Sequence, residues 1–443
     1  MSLPSLGMKR RDFLRSMLSS AVALTLPGLS RAAFAGENDI QVAMTPGLVN
    51  EAATRLKGHV LRTPLVDGGL LSKRTGTNLF LKLENMQYTG AFKERGAYNK
   101  MATLNPAERS RGVIAASSGN HAQAVAYHAT QLGIASAIVM PTVTPHSKIR
   151  RTRNLGGDVI VHGEEFDESL AFALEKAEQN GLTFIHPFDD PLIIAGQGTV
   201  GLEIIQDLPD AEILLVPVGG GGLVAGCATA AKAINPKLKV YGVEAAHYAA
   251  MYQMLHHQPV KTGGETLAEG IAVHTIGRLP YAIDERLLED VLVVDEEHIA
   301  LAITCIWAEH KLVSEGAGAV GVAALLQYDG MFTGKKVVTP ITGGNIDARL
   351  FATLLQRDMY LQGRLTQIRV VSHGGHADVY PDIATVLNRT GAEVVNLEYD
   401  PIFHASSPLS TAYELIIETR DEKHADAVIK ELNAAHFEAV RVR

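Results

Sequence analysis

Ile213-Leu214-Leu215-Val216-Pro217-Val218-Gly219-Gly220-Gly221-Gly222-Leu223-Val224-Ala225-Gly226 is the stretch on which the fold turns. Its unbroken apolar opening reads as a strand buried on both faces, as parallel sheets require. Four glycines follow, and an apolar helix starts at Leu223. Without Cβ atoms in the way, successive N–H groups can converge on one anion, and the helix start adds partial positive charge. A phosphate suits such a cup. A merely flexible turn is the competing reading, but four consecutive glycines cost backbone entropy. The spacing is not the dinucleotide fingerprint, which needs a different glycine pattern and an acidic residue about 20 positions on.

Outward from this stretch the same alternation repeats. Apolar strands are expected at 78–83, 113–117, 135–140, 158–162, 184–186, 239–244, 291–294 and 336–340. Helices are expected at 45–61, 120–132, 147–155, 166–180, 194–208, 223–234, 296–310 and 317–327. Apolar runs without alternation, separated by helices, predict an α/β fold with a mostly parallel sheet covered on both faces. The block from Val113 to Pro187 reads as a small domain inserted in a larger one. Beyond Gly363 the pattern becomes strand 365–372, helix 382–390, strands 393–399 and 413–418, helix 423–435 and strand 439–442. That order is β-α-β-β-α-β, an α+β ferredoxin-like module.

The 443 residues are 47% hydrophobic and 20% charged, with a formal net charge of −8 and no long basic run, which argues against a nucleic-acid partner. Cys227 and Cys305 each lie in an apolar segment and read as buried free thiols. At the N-terminus, Lys9-Arg10-Arg11-Asp12-Phe13-Leu14-Arg15 precedes an apolar run over 17–29 and Ala33-Phe34-Ala35. A charged head, a short apolar middle and small residues at a cut site describe an export signal over 1–35, and the run is too short for a comfortable membrane span. The paired arginines resemble the twin-arginine type, which predicts a periplasmic enzyme; a cytoplasmic one is the alternative.

Three further stretches carry chemistry. In Thr89-Gly90-Ala91-Phe92-Lys93-Glu94-Arg95-Gly96-Ala97, Lys93 follows an apolar residue. A lysine against an apolar wall loses hydration of its charged form, its pKa falls, and the neutral amine can attack an aldehyde. Ser117-Ser118-Gly119-Asn120-His121 lies between a strand and a helix. Its hydroxyls and N–H groups suit a carboxylate, and either serine could equally cap the helix. His121 by itself reads as a hydrogen-bonded structural histidine. In Thr342-Gly343-Gly344-Asn345, Thr342 offers a neutral hydroxyl at a strand's C-terminal end, where open α/β sheets place ligands.

A lysine for an aldehyde, a glycine cup for a phosphate and a polar group for a ring nitrogen are what one cofactor, pyridoxal 5'-phosphate, needs. With Ser314-Glu315-Gly316-Ala317-Gly318-Ala319, these motifs resemble the pyridoxal-phosphate enzymes of the tryptophan-synthase-β type (fold type II), and among them the threonine/serine dehydratases. The resemblance spans about 45–360, with a large domain at 45–100 and 188–360 and a small one at 101–187. The module at 365–443 resembles the ACT regulatory domain, which leaves room for an amino-acid effector.

The resemblance implies roles. Lys93 would hold the cofactor and move the Cα proton, and Phe92 would pack on the ring. Asn120 would bond the ring's phenolic oxygen, Gly219, Gly220, Gly221 and Gly222 would hold the phosphate, and Thr342 would face the ring nitrogen. Ser117, Ser118, Asn120 and His121 would seat the substrate carboxylate, with Glu315 beside substrate or cofactor. Ser117 would be the second acid/base in a racemase. Some relatives hold a cation with a glutamate and an aspartate six residues on. Here Glu244 is present but position 250 is Ala250, so no metal is expected.

A small-molecule amino-acid substrate and a homo-oligomer are the expected partners. The expected reaction is β-elimination of L-threonine or L-serine to a 2-oxo acid and ammonia. A racemase or a hydroxyaspartate ammonia-lyase on the same scaffold is the alternative, and a non-catalytic exported amino-acid-binding protein the remote one.

Overall fold

The computed structural model describes residues 44–373, 379–400 and 410–442. The expected signal at 1–35 and Gly374-Gly375-His376-Ala377-Asp378 of the C-terminal module lie outside them. Up to residue 340 the strands are β1 (Leu65–Asp67), β2 (Asn78–Lys82), β3 (Val113–Ala116), β4 (Ser136–Met140), β5 (Asp158–Val161), β6 (Thr183–Phe184), β7 (Ile213–Pro217), β8 (Lys239–Ala245), β9 (Asp290–Val294) and β10 (Lys336–Pro340). They form a six-stranded sheet in the order β1-β2-β10-β7-β8-β9 and a four-stranded sheet in the order β5-β4-β3-β6. Only β1 pairs antiparallel; every other pairing in the two sheets is parallel.

This order positions the site. β2, β10 and β7 are neighbours running in one direction, with Pro340 opposite Lys82 and Val337 opposite Ile213. Their C-terminal ends therefore lie side by side at one edge. From β2 the chain leads to Lys93, from β10 to Thr342, and from β7 into Gly219–Gly222. The helix Lys93–Ala102 spans the two sheets. Its Ala97 and Met101 are buried with Val113, Ala115, Ile138 and Met140 of the small sheet. At its start, the Phe92 N–H donates to the Thr342 carbonyl at 3.0 Å, and Ala91 bridges Gly343.

A buried ion cluster holds that helix in place. The Arg95 guanidinium, fully enclosed, donates to both carboxylate oxygens of Glu84 (2.8 and 2.7 Å) and both of Glu203 (2.7 and 2.9 Å). Lys82, equally enclosed, reaches Glu203 at 2.7 Å. Bidentate pairing of this kind is what lets charge persist in an interior.

The C-terminal module contains β11 (Leu365–His373), β12 (Glu393–Asp400), β13 (Ser410–Glu418) and β14 (Glu438–Arg441), in the order β12-β13-β11-β14 and antiparallel throughout. Buried residues alternate along β11, and Ile368, Val370, Leu415 and Ile417 pack against Ile383, Leu387, Val428 and Leu432 of two helices, Tyr380–Thr390 and Glu422–Ala434. The β-α-β-β-α-β order is thus realised as a sheet with helices on one face.

Some local expectations shift. The first described helix is Pro46–Leu56, ending near Gly58 (φ +83°) as expected and short of Leu61. Helices Gly69–Thr75, Ala250–Leu255, Arg278–Leu287 and Ala348–Leu361 were not anticipated. Cys227 and Cys305 are buried and free, as expected. Among the described residues no helix is long and apolar enough to cross a membrane.

Candidate active site

Lys93 is the first residue of its helix, where the tight turn at Gly90 (φ +77°) delivers it. Its Nζ donates to the Pro187 carbonyl at 2.8 Å and lies 5.3 Å from the centre of the Phe92 ring. Burial, which disfavours the charged form, brings the amine down to about 8. The next residue after Pro187 joins this amine to the glycine turn. A Cβ on Gly220 would lie 2.3 Å from the Phe188 ring, and one on Gly222 would lie 2.7 Å from the Phe188 carbonyl oxygen. The Pro187-Phe188 dipeptide thus touches the lysine with one residue and packs on the glycines with the other.

The glycine turn itself has the features of an anion cup. Gly220, Gly221 and Gly222 are buried, and Gly221 takes φ +91° at the helix N-cap. Among the described residues, no protein acceptor takes the N–H of Gly219, Gly220 or Gly221. Buried N–H groups without partners are costly unless a ligand satisfies them. Together with a depressed lysine, they fit a phosphorylated aldehyde.

Ser117–His121 joins β3 to the helix Asn120–Gln131. Of the two readings of Ser117 and Ser118, the helix cap is not realised. The N-cap of Asn120–Gln131 is Gly119, with no side-chain cap, and Ser117 Oγ instead accepts the Gly119 N–H at 3.2 Å. His121 is buried with Nε2 bonded to the Ile185 carbonyl at 2.8 Å, and burial followed by the nearby Lys93 charge lowers it to about 3. It is a neutral, structurally committed ring. What position 121 can offer a carboxylate is its backbone N–H at the helix start. Thr342 is buried beside the Lys93 turn.

Asn120 and Glu315, 195 positions apart, meet here: Asn120 Nδ2 donates to Glu315 Oε1 at 2.6 Å. Burial raises the Glu315 carboxyl to about 7, against the pull of the Asn120 bond and of the Lys148 charge. A Cβ on Gly343 would lie 2.4 Å from Glu315 Oε1, so a larger residue here would push on the Asn120–Glu315 pair. Asn345 also enters the site, donating to Asn120 Oδ1 at 2.7 Å and to the Thr89 carbonyl at 2.8 Å. The sequence placed Asn345 in a motif without a role, marked Pro187 only as the end of a strand, and gave no signal for Phe188.

Glu244 is engaged elsewhere. Both of its oxygens accept backbone N–H groups, from Met251 and Tyr252 at 2.9 Å each, and burial raises it to about 8. Among the described residues no group of three metal-ligating side chains converges.

The model of the pyridoxal-phosphate dependent enzymes matches residues 56–343 of this chain. The chain belongs to that family. Family members use pyridoxal 5'-phosphate, and the glycine turn and Lys93 supply the parts for it. The L-threonine ammonia-lyase of Thermotoga maritima is 44% identical over 399 residues, covering 88% of this chain and 97% of that protein. Among solved structures, the processed threonine deaminase isoform 2 of Solanum lycopersicum superposes with a TM-score of 0.65 at 38% identity, covering 69% of this chain and 92% of that one. Maize serine racemase gives 0.68 at 32% identity, covering 72% and 99%. The family core is therefore fold type II, as the motifs implied.

Proposed function

We propose that this protein is a threonine/serine ammonia-lyase, converting L-threonine or L-serine to a 2-oxo acid and ammonia by β-elimination. The observation that carries the reading is the Lys93 amine, lowered to about 8 and linked through Pro187-Phe188 to the glycine turn. Likeness to the threonine ammonia-lyase and deaminase above supports it.

Bound pyridoxal phosphate supplies an aldehyde for the amine and an aromatic ring that draws electrons from the substrate Cα. The chain's own residues do the rest. The N–H groups of Gly219–Gly222 would hold the phosphate. Asn120 would give an N–H to the ring oxygen, and Phe92 would pack on the ring. The backbone N–H groups at the start of Asn120–Gln131, with Ser117 and Ser118, would seat the substrate carboxylate. With substrate in place, the Lys93 amine would take the Cα proton. The same nitrogen then holds a proton for the departing β-hydroxyl, so the proton count closes. Thr342 would meet the ring nitrogen with a neutral hydroxyl rather than a carboxylate, a partner that would suit prompt loss of the β-hydroxyl. Incubation with a panel of β-hydroxy amino acids, reading ammonia and 2-oxo acid, tests this; no keto acid from any member refutes it.

A racemase is the second reading, favoured by Ser117 and by likeness to a serine racemase. Formation of D-serine without keto acid would select it. The module at 365–442 is proposed as an ACT-type effector-binding domain, supported by its strand order. Residues 1–35 are proposed as a twin-arginine signal for export to the periplasm, and the chain is proposed to form a homo-oligomer.

A further inference from the structure

An asparagine amide can present either its oxygen or its nitrogen, and the hydrogen-bond network decides which. At this site one backbone carbonyl decides for two asparagines. The Thr89 carbonyl can only accept, so the group of Asn345 that faces it at 2.8 Å is the NH2. The second hydrogen of that Nδ2 goes to Asn120 at 2.7 Å, which fixes the facing atom of Asn120 as its oxygen. Asn120 Nδ2 is then turned to Glu315, spends one hydrogen on Oε1 at 2.6 Å and has one left. Asn345 Oδ1 occupies the space left by the missing Cβ of Gly90, which would lie 2.7 Å away, and the Gly344 N–H donates to the Gly90 carbonyl at 2.9 Å. Four segments of chain, around residues 89, 120, 315 and 345, are thereby locked into one arrangement.

We infer that Asn345 is a positioning residue, which sets the amide of Asn120 so that its oxygen is turned away and one N–H remains for the ring oxygen of bound pyridoxal phosphate. The inference rests on the reading above, in which that cofactor is held by Lys93 with Asn120 at its ring oxygen. A donated hydrogen bond stabilises the ionised ring oxygen and weakens its hold on the proton it shares with the lysine nitrogen. Loss of the donor makes that proton harder to remove. The charged groups acting on Glu315 in the same network are Lys148 and Glu269, paired with each other at 2.6 Å, so they are common to every variant compared.

The test is a spectral pH titration of the visible chromophore of the holoenzyme. Asn345→Asp is nearly isosteric but only accepts, so it cannot face both the Thr89 and the Asn120 oxygens, and the Asn120 amide must turn over. The titration should move up by about one pH unit or more. Asn345→Ala, which frees the amide without forcing it, should move it less in the same direction. On an Asn120→Ala background neither Asn345 variant should move it further, because the interaction runs through Asn120. If Asn345→Asp does not fold, the Asn345→Ala pair decides by the same comparison. An unmoved titration, or an equal shift with and without Asn120, overturns the inference. A wild-type protein with no visible chromophore overturns both the inference and the reading beneath it. A chromophore lost in Lys93→Ala, with Asn345→Asp unmoved, overturns the inference alone.

Discussion

At neutral pH a solvated lysine is almost wholly cationic, and Lys93 departs from that through burial. Two outcomes follow at the scale of this residue. In cofactor-free protein, the rate at which Lys93 captures an aldehyde should rise with a midpoint near pH 8, measured by stopped-flow absorbance, well below the range of surface lysines. The same shift enters stability. Because the folded-state pKa is lowered, the unfolded chain binds more protons between about 8 and the ordinary lysine value. Stability is therefore depressed below pH 8 and recovered as pH rises through that window. Lys93→Met should raise the stability of the cofactor-free protein by roughly 2–3 kcal/mol below pH 8, an advantage that fades toward pH 10.5. Urea midpoints at several pH values measure it. Arg95 behaves oppositely. Arg95→Met strands Glu84 as a buried charge, leaves Glu203 to Lys82 alone, and should cost about 3–5 kcal/mol in the same assay.

Elements carry the site because three parallel strands end together. Sequence patterning reaches this level well: β10 and the helix Phe166–Asn180 fall where the apolar runs place them. Long apolar strands and amphipathic helices write their periodicity into the chain. Short helices such as Gly69–Thr75 and Ala250–Leu255 hold too few residues to show a period, and only packing reveals them. The helix start at Asn120 misleads for another reason. Two serines precede it, yet Ser117 turns its oxygen to the Gly119 N–H and leaves the helix uncapped by any side chain. The glycine turn was legible as a strand-to-helix junction. Its partner Phe188 was not, since contact between residues so far apart in the chain leaves no local mark. Gly220→Ala tests that packing directly. The methyl group would meet the Phe188 ring, so the variant should lose about 1–3 kcal/mol of stability and release cofactor more readily, seen as a lower melting temperature and a faded chromophore on dialysis.

The whole molecule joins a catalytic pair of sheets to a separately cored α+β module. That division was visible in the sequence as a change of grammar after Gly363, from buried parallel runs to alternating strands. The small domain's lower boundary was less visible. The helix Lys93–Ala102 contributes Ala97 and Met101 to the small core while its first turn is bonded to the large sheet. Lys93 therefore sits where the two sheets meet. A chain ending after Leu361 should retain turnover on L-threonine and lose any response to amino-acid effectors, followed by initial rates with and without each amino acid. Effector response that survives truncation would move the regulatory site into the catalytic region. The most direct measurement is borohydride reduction of the holoenzyme followed by peptide mass mapping. The holoenzyme should yield one reduced pyridoxyl adduct, on Lys93, and Lys93→Ala none. An adduct on any other lysine, or no adduct on a protein that turns over threonine, would contradict it.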